Sequence, residues 1–522
     1  MKTLPRIVRT RRLIAGALAL SVLLAPASAL AGQAQSPPVP APSPQAQKAA
    51  GPSLQLSMEQ AVEMALESNL GLKADRMEVQ VADLAIASAR AAFLPRTQSS
   101  FSRNKQEQFP QRTPEGTLVP ASSTSLSGSA DWLQTLPWYG ASYRVSWGAN
   151  RRTSVGTTST FNPIYGSSFS FGYSQPLWRG LSVDGNRLNL EASQRRRAIT
   201  DIALEQNVVT LDANVRSAYL SLLGAIQGLD VAEQNLQTEE SALANARARV
   251  GVGVAPQTEI ISYEAQVATR RVQVIAAEAN IEAMEDALRR LVLDPNRPDY
   301  WQLRLVPSDE IQLAQREINL DQAVENALKN RLDLIAARRD MELTDLNMRL
   351  SRDATRPDLA FNLGYTASGS GGKSTDELLT RNFRSVLGDA FGGAYPSWTT
   401  GFTFSYPIGR SALEASYAQA QIRKQQQEIA LRDLERDIVQ QVRDTVRQVE
   451  NRFRQLEAAQ LALDLSTKQL EAEQRRFEVG ITNTFELQSR QAQLANARNS
   501  LLQATIDYNR ALILFDRVQK TR

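Results

Sequence analysis

The feature that most constrains this chain is an internal duplication. Residues 56–95 and 318–357 follow one sequence plan at a constant offset of 262 positions, which places Pro95 opposite Pro357. Further matched pairs are Gln60/Gln322, Ala61/Ala323, Val62/Val324, Glu63/Glu325, Ala65/Ala327, Leu66/Leu328 and Arg90/Arg352. A chain that contains two copies is expected to fold as two versions of one unit, so the elements of one copy predict those of the other.

A second phrase also occurs twice, at an offset of 227, where Val252-Gly253 and Val479-Gly480 interrupt long helical patterns. Glycine at a helix end favours a left-handed turn, so each phrase predicts a helical hairpin. The predicted long helices are 186–249 and 411–478, and the return helices are 256–291 and 483–518. In 411–478 apolar residues recur about every 3.5 positions, which is coiled-coil spacing. At 1.5 Å per residue each long helix spans about 100 Å.

The residues between these helical regions change to a period of two. Phe169, Phe171 and Tyr173 alternate with small polar residues, and similar strand patterns occur within 97–181 and 357–410, separated by Gly/Ser/Thr-rich loops at 110–127, 150–168 and 368–397. These two stretches hold five of the six Trp and ten of the fifteen Phe. Such a concentration favours lipid-facing strands of a membrane barrel over a soluble sheet.

One candidate hairpin in the first strand block has no counterpart in the second. It pairs about Ser125–Leu136 with Ala141–Asn150. The sequence leaves open whether this hairpin joins the barrel or stands above it.

The short helices are predicted to begin at capping residues and to end before prolines. Ser57 and Gln60 have capping-box spacing, and the helix is expected to run to about Phe93, with its counterpart running to about Thr355. One return helix and one short helix together are as long as one long helix, which predicts that both pack along it. The segment 294–317 then forms a linker around the waist of the helical part.

The N-terminus has the pattern of a secretory signal peptide. A basic region, an apolar stretch at 13–24 and small residues near the predicted end define residues 1–31, and 32–53 is a Pro/Ala/Gln-rich linker. The apolar stretch is short for an uncleaved membrane anchor, which needs about 20 residues. The formal charge of +4 includes five basic residues of 1–31, which has no acid, so the rest carries −1 and gives no argument for nucleic-acid binding.

The composition excludes most common catalytic and metal sites. The chain has neither Cys nor His, so thiol nucleophiles, histidine bases, disulfides and the usual zinc ligands are all ruled out. We therefore expect no enzyme activity, no cofactor and no metal site.

Taken together, these motifs resemble the TolC-like outer-membrane efflux proteins. The resemblance rests on LSMEQAVEMALESN and INLDQAVENALKNR, on GYSQPLWRG and RRLVLDPNRPD, and on FEVGITNTFELQSRQAQLANAR, and it covers about 54–518. It implies a mainly α fold with a membrane β part, made of two repeats at 54–293 and 318–518. In such a fold long antiparallel coiled coils form an α-barrel, and each chain of a homotrimer gives four strands to one 12-stranded transmembrane β-barrel.

The resemblance also implies the candidate site. In the family the tunnel narrows at the hairpin turns, and two aspartates after the second turn bind cations; the matching positions here are Glu486 and Ser489. A trimer would thus carry a ring of Glu486 carboxylates, whereas the alternative is that Asn483 and Glu486 only cap the return helix. Gly253 and Gly480 are the predicted turn residues, which would also present the tips to an adaptor.

The predicted function is a passive outer-membrane duct of a tripartite efflux or type I secretion system in a Gram-negative bacterium. Its implied partners are two further copies of the chain, a periplasmic adaptor protein, an inner-membrane pump or ABC transporter, and outer-membrane lipid, with no nucleic acid. The alternative is a secreted or surface coiled-coil structural protein, which would be released from the cell and would not form membrane trimers.

Overall fold

The computed structural model of the protein describes residues 52–112, 116–155, 160–309, 315–374, 379–406, 408–409 and 411–519. The predicted signal peptide, all but the last two residues of the predicted linker, and part of the predicted waist segment lie outside these ranges. None of the helices within them is both long and apolar enough to cross a membrane.

The helices, in chain order, are α1 (Met58–Ser68), α2 (Leu70–Arg90), α3 (Gly185–Gly251), α4 (Gln257–Val292), α5 (Leu320–Asn330), α6 (Leu332–Ala354), α7 (Phe383–Gly392), α8 (Ala412–Glu478) and α9 (Thr484–Gln519). The strands are β1 (Ser53–Leu56), β2 (Arg96–Arg112), β3 (Leu118–Thr135), β4 (Ser142–Val155), β5 (Phe161–Pro176), β6 (Arg304–Pro307), β7 (Asp358–Ser374) and β8 (Pro396–Ser405).

Two helical hairpins of equal length dominate the fold. The long helices α3 and α8 each have 67 residues, and their return helices α4 and α9 each have 36. These bounds lie within a few residues of those predicted from the glycine turns and the apolar spacing. The short helices α1 and α2 pack along α3, and α5 and α6 pack along α8. Each long helix therefore has a return helix on one part of its length and a pair of short helices on another.

The expectation of one unbroken helix from Ser57 to Phe93 is wrong. The chain leaves helical geometry at Asn69, whose side chain accepts a hydrogen bond from the Leu72 amide (3.2 Å) and donates one to the Leu291 carbonyl (3.3 Å). The second copy breaks at Arg331, 262 positions later, where ψ is 126°. In the first copy a local cap and a contact with α4 thus accompany an interruption of the helix at one residue. The predicted capping box at Ser57 and Gln60 is present.

A single antiparallel sheet follows the short helices. Its strand order is β2-β3-β4-β5-β7-β8, so one chain contributes six strands. The implied number of four strands per chain is wrong for two reasons. The first strand block contributes four strands instead of two, because the candidate hairpin joins the sheet as β3 and β4, with Thr135 opposite Ser142. The remaining extra strand is β2, which shows little alternation because its residues are mostly polar on both faces.

The two faces of this sheet differ sharply in polarity. Opposed residues share a face, and one row that crosses all six strands comprises Thr97, Trp132, Val145, Phe171, Tyr365 and Trp398. The other face carries cross-strand hydrogen bonds between small polar side chains, such as Ser100 with Ser129 (2.9 Å) and Ser146 with Ser170 (2.6 Å). The result is an aromatic face and a polar face on one continuous sheet.

The short helix α7 lies in what the sequence suggests is a loop. It rests on the aromatic face, where the Phe391 ring centroid is 6.2 Å from that of Trp147 and 5.7 Å from that of Phe169. The strand beneath has Gly369, where a Cβ would lie 2.2 Å from the Val386 carbonyl oxygen. Glycine is therefore required for the close approach of helix and strand.

A short parallel pair, β1 with β6, joins the start of the described chain to the waist segment. Tyr219 of α3 is fully buried beside it and donates a hydrogen bond to the Leu56 carbonyl (2.9 Å), while its hydroxyl accepts from the Ser308 and Asp309 amides. Burial is the main cause that raises the pKa of Tyr219. One buried phenol thus ties β1, β6 and α3 together.

The hairpins also pack closely against each other through α3 and α9. A Cβ added at Gly224 would lie 2.2 Å from Cδ1 and 3.0 Å from Cγ1 of Ile506, whereas one at Gly228 would lie 3.8 Å from Leu502. Both Ala substitutions gain the same helix propensity, about 1 kcal/mol. Because β-branched Ile506 cannot easily move away, we expect Gly224→Ala to be less stable than Gly228→Ala by about 1–3 kcal/mol.

Urea titration of the helical circular dichroism signal measures this difference, with Gly228→Ala as the matched control. Equal midpoints for the two variants would show that the α3–α9 contact is looser than described.

Candidate functional site at the two hairpin tips

The two hairpin turns have the same backbone geometry. Gly253 has φ +77° and Gly480 has φ +74°, the left-handed conformation that non-glycine residues rarely adopt. In both turns the amide that follows the glycine donates a 3.0 Å hydrogen bond to the carbonyl five residues earlier. This is the helix-ending motif that the repeated Val-Gly phrase suggests.

The tips expose an unusual amount of apolar surface. Five side chains at or next to the turns are each more than two thirds exposed: Val252, Val254, Val479, Ile481 and Phe485. We call these five residues the tip patch. A cluster of exposed apolar side chains of this kind is typical of a surface that contacts another protein.

Glu259 joins the two hairpins just inside the tips. Its carboxylate is buried, lies 3.2 Å from the Arg249 guanidinium of the same hairpin, and accepts a 2.9 Å hydrogen bond from Thr484 of the other hairpin. The Arg249 guanidinium in turn lies 4.5 Å from the ring centroid of Phe477, also in the second hairpin. One carboxylate and one guanidinium therefore hold the two tips together.

The equivalent residue of the second copy, Glu486, has different surroundings. Its side chain is 46% exposed and its carboxylate lies 3.9 Å from Arg490, four residues later on the same helix. The Glu486 amide donates a hydrogen bond to the Asn483 side chain (3.0 Å), which is the contact expected if these two residues cap the return helix. Ser489 lies about one turn further along the same helix and is partly buried. The capping contact and an accessible carboxylate are thus both present.

A second layer of contacts lies deeper in the bundle, where Tyr263 of α4 packs against α3. Burial raises the pKa of Tyr263 to about 12, and Glu259 and Glu239 add to the rise. A phenol with a raised pKa stabilises the fold at pH values below its unfolded pKa of about 10 and loses this contribution as pH rises through 12. The neutral ring is therefore the form that packs between α3 and α4.

Polar groups also meet where α3, α4 and α9 come together. Arg498 donates to Asn235 (3.4 Å), and Arg270 lies 3.6 Å from buried Glu239. Burial is the largest cause that raises the pKa of Glu239, and the Arg270 charge opposes it. Within the described ranges, no group of three or more His, Cys, Asp or Glu side chains is arranged to hold a metal ion.

The structure thus places Gly253, Gly480, Glu486 and Ser489 at the same end of the bundle, together with Glu259. The sequence pairs Glu259 with Glu486 by repeat position, but it does not show that one carboxylate is buried between hairpins while the other is accessible. Only the tertiary contacts of Glu259 with Arg249 of α3 and Thr484 of α9 make this distinction.

Comparisons with known proteins point to one family. The family model described as outer membrane efflux protein matches residues 134–292 and 323–515. Outer membrane protein TolC of Escherichia coli (strain K12) is 22% identical over 373 residues, which is 71% of each chain. Among solved structures, CusC has a TM-score of 0.64 at 17% identity and covers 94% of this chain and 99% of its own. The Campylobacter jejuni outer membrane channel CmeC has a TM-score of 0.63 at 14% identity, with coverage of 89% and 85%.

These findings confirm the resemblance seen in the sequence and the predicted localisation in the outer membrane of a Gram-negative bacterium. They also agree with a mainly helical, channel-type fold, and the similar proteins are channels rather than enzymes.

The Glu259 contact generates a prediction about the tips. Glu259→Ala removes a hydrogen bond to a charged group, about 1.5–3 kcal/mol, and leaves Arg249 without its partner. Because the chain has no Cys, spin labels can be placed at Val254 and Ile481 without other changes. Electron paramagnetic resonance should show a broader and longer distance distribution in the Glu259→Ala background.

Glu486→Ala is the matched control, since it deletes the same side chain at the equivalent position, where the carboxylate is about half-exposed and does not join the hairpins. A distance distribution that stays narrow in both variants would show that Glu259 does not hold the tips together.

Proposed function

We propose that this chain, which belongs to the outer membrane efflux protein family, is the outer-membrane channel of a tripartite efflux or type I secretion system. Three copies would form a passive duct that carries cargo from an inner-membrane pump and its adaptor across the periplasm and the outer membrane. Members of the family form trimers and work with adaptors and inner-membrane pumps, which supports this assembly.

The observation that carries the proposal is the sheet with one aromatic and one polar face, attached to helices about 100 Å long. An aromatic outer face and a polar inner face are what lipid on one side and a water-filled lumen on the other require. The helices are long enough to extend the lumen well into the periplasm. In a soluble coiled-coil protein this aromatic face would be exposed to water, which is unfavourable.

The hairpin tips are the proposed entrance of this duct. Glu259, Arg249 and Thr484 link the two hairpins of one chain, so opening the entrance requires that these contacts separate or move as a unit. The accessible Glu486 carboxylate, repeated in three chains, would form a negative ring that favours cations. Ser489 adds no charge, so the ring would have one carboxylate per chain.

The tip patch is the proposed contact surface for the adaptor. Its apolar side chains flank Gly253 and Gly480, the glycines of the two tight turns. An adaptor with complementary apolar side chains at its own tip would bury this surface.

The function itself is tested in cells that lack the gene and in planar bilayers. Expression of the chain should restore resistance to the substrates of its pump, and the purified protein should conduct ions. Recovery of the protein from the culture medium, with no conductance in bilayers, would contradict the proposal and favour the structural coiled-coil alternative.

The adaptor contact gives a sharper prediction. The double variant Val254→Asp/Ile481→Asp should lose copurification with the adaptor, because charges at an apolar interface are costly to bury. It should keep its assembly and bilayer conductance, because these side chains are solvent-exposed in the chain. The matched control is Val272→Asp/Ile275→Asp, two residues of α4 that are 66% and 64% exposed but lie away from the tips.

If the control abolishes copurification as strongly as the tip variant does, the tip patch is not the specific contact surface.

The proposed charge ring gives a prediction in two directions. Glu486→Gln removes the carboxylate and should shift the reversal potential in a salt gradient towards that of a less cation-selective pore. Ser489→Glu adds a second carboxylate per chain on the same helix face and should shift it in the opposite direction. Unchanged reversal potentials in both variants would show that these side chains do not line the narrow part of the pore.

A further inference from the structure

The outermost strands of the sheet, β2 and β8, each have a neighbour on one side only. The aromatic side chains of these edges are strongly exposed: Phe101 is 76%, Trp398 67%, Phe402 69% and Phe404 64% exposed. A long edge of this kind offers unpaired amides and carbonyls to another strand, and in lipid these groups have no water to satisfy them.

The strand directions show which partner fits these edges. All five pairings in the sheet are antiparallel, so with six strands the two edge strands run in opposite directions. The β8 edge of one copy can therefore continue the antiparallel pattern with the β2 edge of a second copy. The same contact repeats around a symmetry axis, so it can close into a ring.

The apolar band of the sheet also continues across this contact. On β8 this band of apolar side chains is centred near Phe402. On β2 it includes Phe101, which lies several cross-strand residue pairs further along the sheet in the chain direction of β2. A band that shifts steadily along the strands is what tilted strands of a barrel produce. A next copy placed at the β8 edge would bring its Phe101 back to the level of Phe402.

The hairpin that raises the strand number is firmly part of the sheet. β3 pairs with β4 over the whole of 122–135, and its side chains also contact β4. The Trp132 indole donates to the Tyr143 hydroxyl (3.3 Å), and Arg152 donates to Ser123 (2.9 Å). The Leu136 amide donates to the Ala141 carbonyl at 2.7 Å and closes the turn.

We infer that three copies of this six-stranded sheet close into one 18-stranded barrel, with β8 of each copy paired antiparallel to β2 of the next. The inference rests on the trimer of the proposed function, and it replaces the 12 strands that the resemblance implies. Barrel diameter grows roughly linearly with strand number, so the outer-membrane exit is about 1.5 times as wide as a 12-stranded one. The partner surface is thus a second copy of this chain, and the exit suits bulkier cargo.

Cysteine cross-linking tests the pairing directly, because the chain has no Cys of its own. Phe402→Cys is combined in turn with Ser99→Cys, Phe101→Cys and Arg103→Cys, all on the aromatic face, to scan the register of the new contact. Oxidation of trimers in outer membranes should join neighbouring chains in at least one pair, giving covalent dimers and trimers on denaturing gels.

A second series, for use if the first fails to assemble, combines Thr400→Cys in place of Phe402→Cys with Ser99→Cys or Arg103→Cys, which leaves the aromatic residues of both edge strands intact. The control pair, Phe402→Cys with Trp132→Cys, lies on the same face but one strand further from the edge and should not cross-link.

A different pair of cysteine substitutions distinguishes the 18-stranded barrel from a barrel with fewer strands. If β2 and β3 stood apart from the wall, β4 would be the edge strand, β8 would pair with β4 of the next copy, and Phe402→Cys would instead cross-link to Trp147→Cys. That result, or intact trimers with no β2–β8 cross-link in either series, would overturn the 18-stranded barrel while leaving the duct function in place. Loss of efflux in the unmodified protein would count against the proposed function instead.

Discussion

The rest of the structure depends on one constraint, which is that backbone groups at a sheet edge must find hydrogen-bond partners when water is absent. Each unsatisfied amide or carbonyl in a bilayer costs several kcal/mol. The strands β2 and β8 cannot satisfy each other within one chain, because four strands lie between them. In the trimer that we propose, identical copies would supply the missing partners, and the aromatic face would turn to lipid while the polar face turns inward.

In the helical part, side-chain contacts rather than backbone hydrogen bonds hold the hairpins together. Repeated hairpins of equal length place their tips side by side, and α3 packs on α9 closely enough to require Gly224. Near the tips the duplicated sequence is used for two purposes. Glu259 is buried and links the hairpins, whereas Glu486, its repeat partner, remains accessible. Duplication provides the two carboxylates, and the asymmetric packing of the four helices gives them different roles.

Much of this fold follows from local sequence signals. The long helices are predicted within a few residues because coiled-coil spacing persists over many turns, and Gly253 and Gly480 mark both turns because only glycine adopts this conformation easily. The signals that fail are those set by tertiary contacts. The helix break at Asn69 depends on a hydrogen bond to the Leu291 carbonyl, and α7 is stable because it covers Trp147 and Phe169. The strand β2 lacks alternation and owes its place to pairing with β3.

The candidate site divides in the same way. Turn glycines and the approximate position of Glu486 can be read from the repeated phrase, but burial of Glu259 against Arg249 and Thr484 cannot. The most direct measurement of the central claim is the mass of the particle that the purified protein forms. Light scattering in detergent should give a stable particle with three chains, and removal of detergent should cause aggregation. A monodisperse monomer that stays dissolved without detergent would contradict the account, because its sheet edges and aromatic face would then need neither lipid nor a second copy.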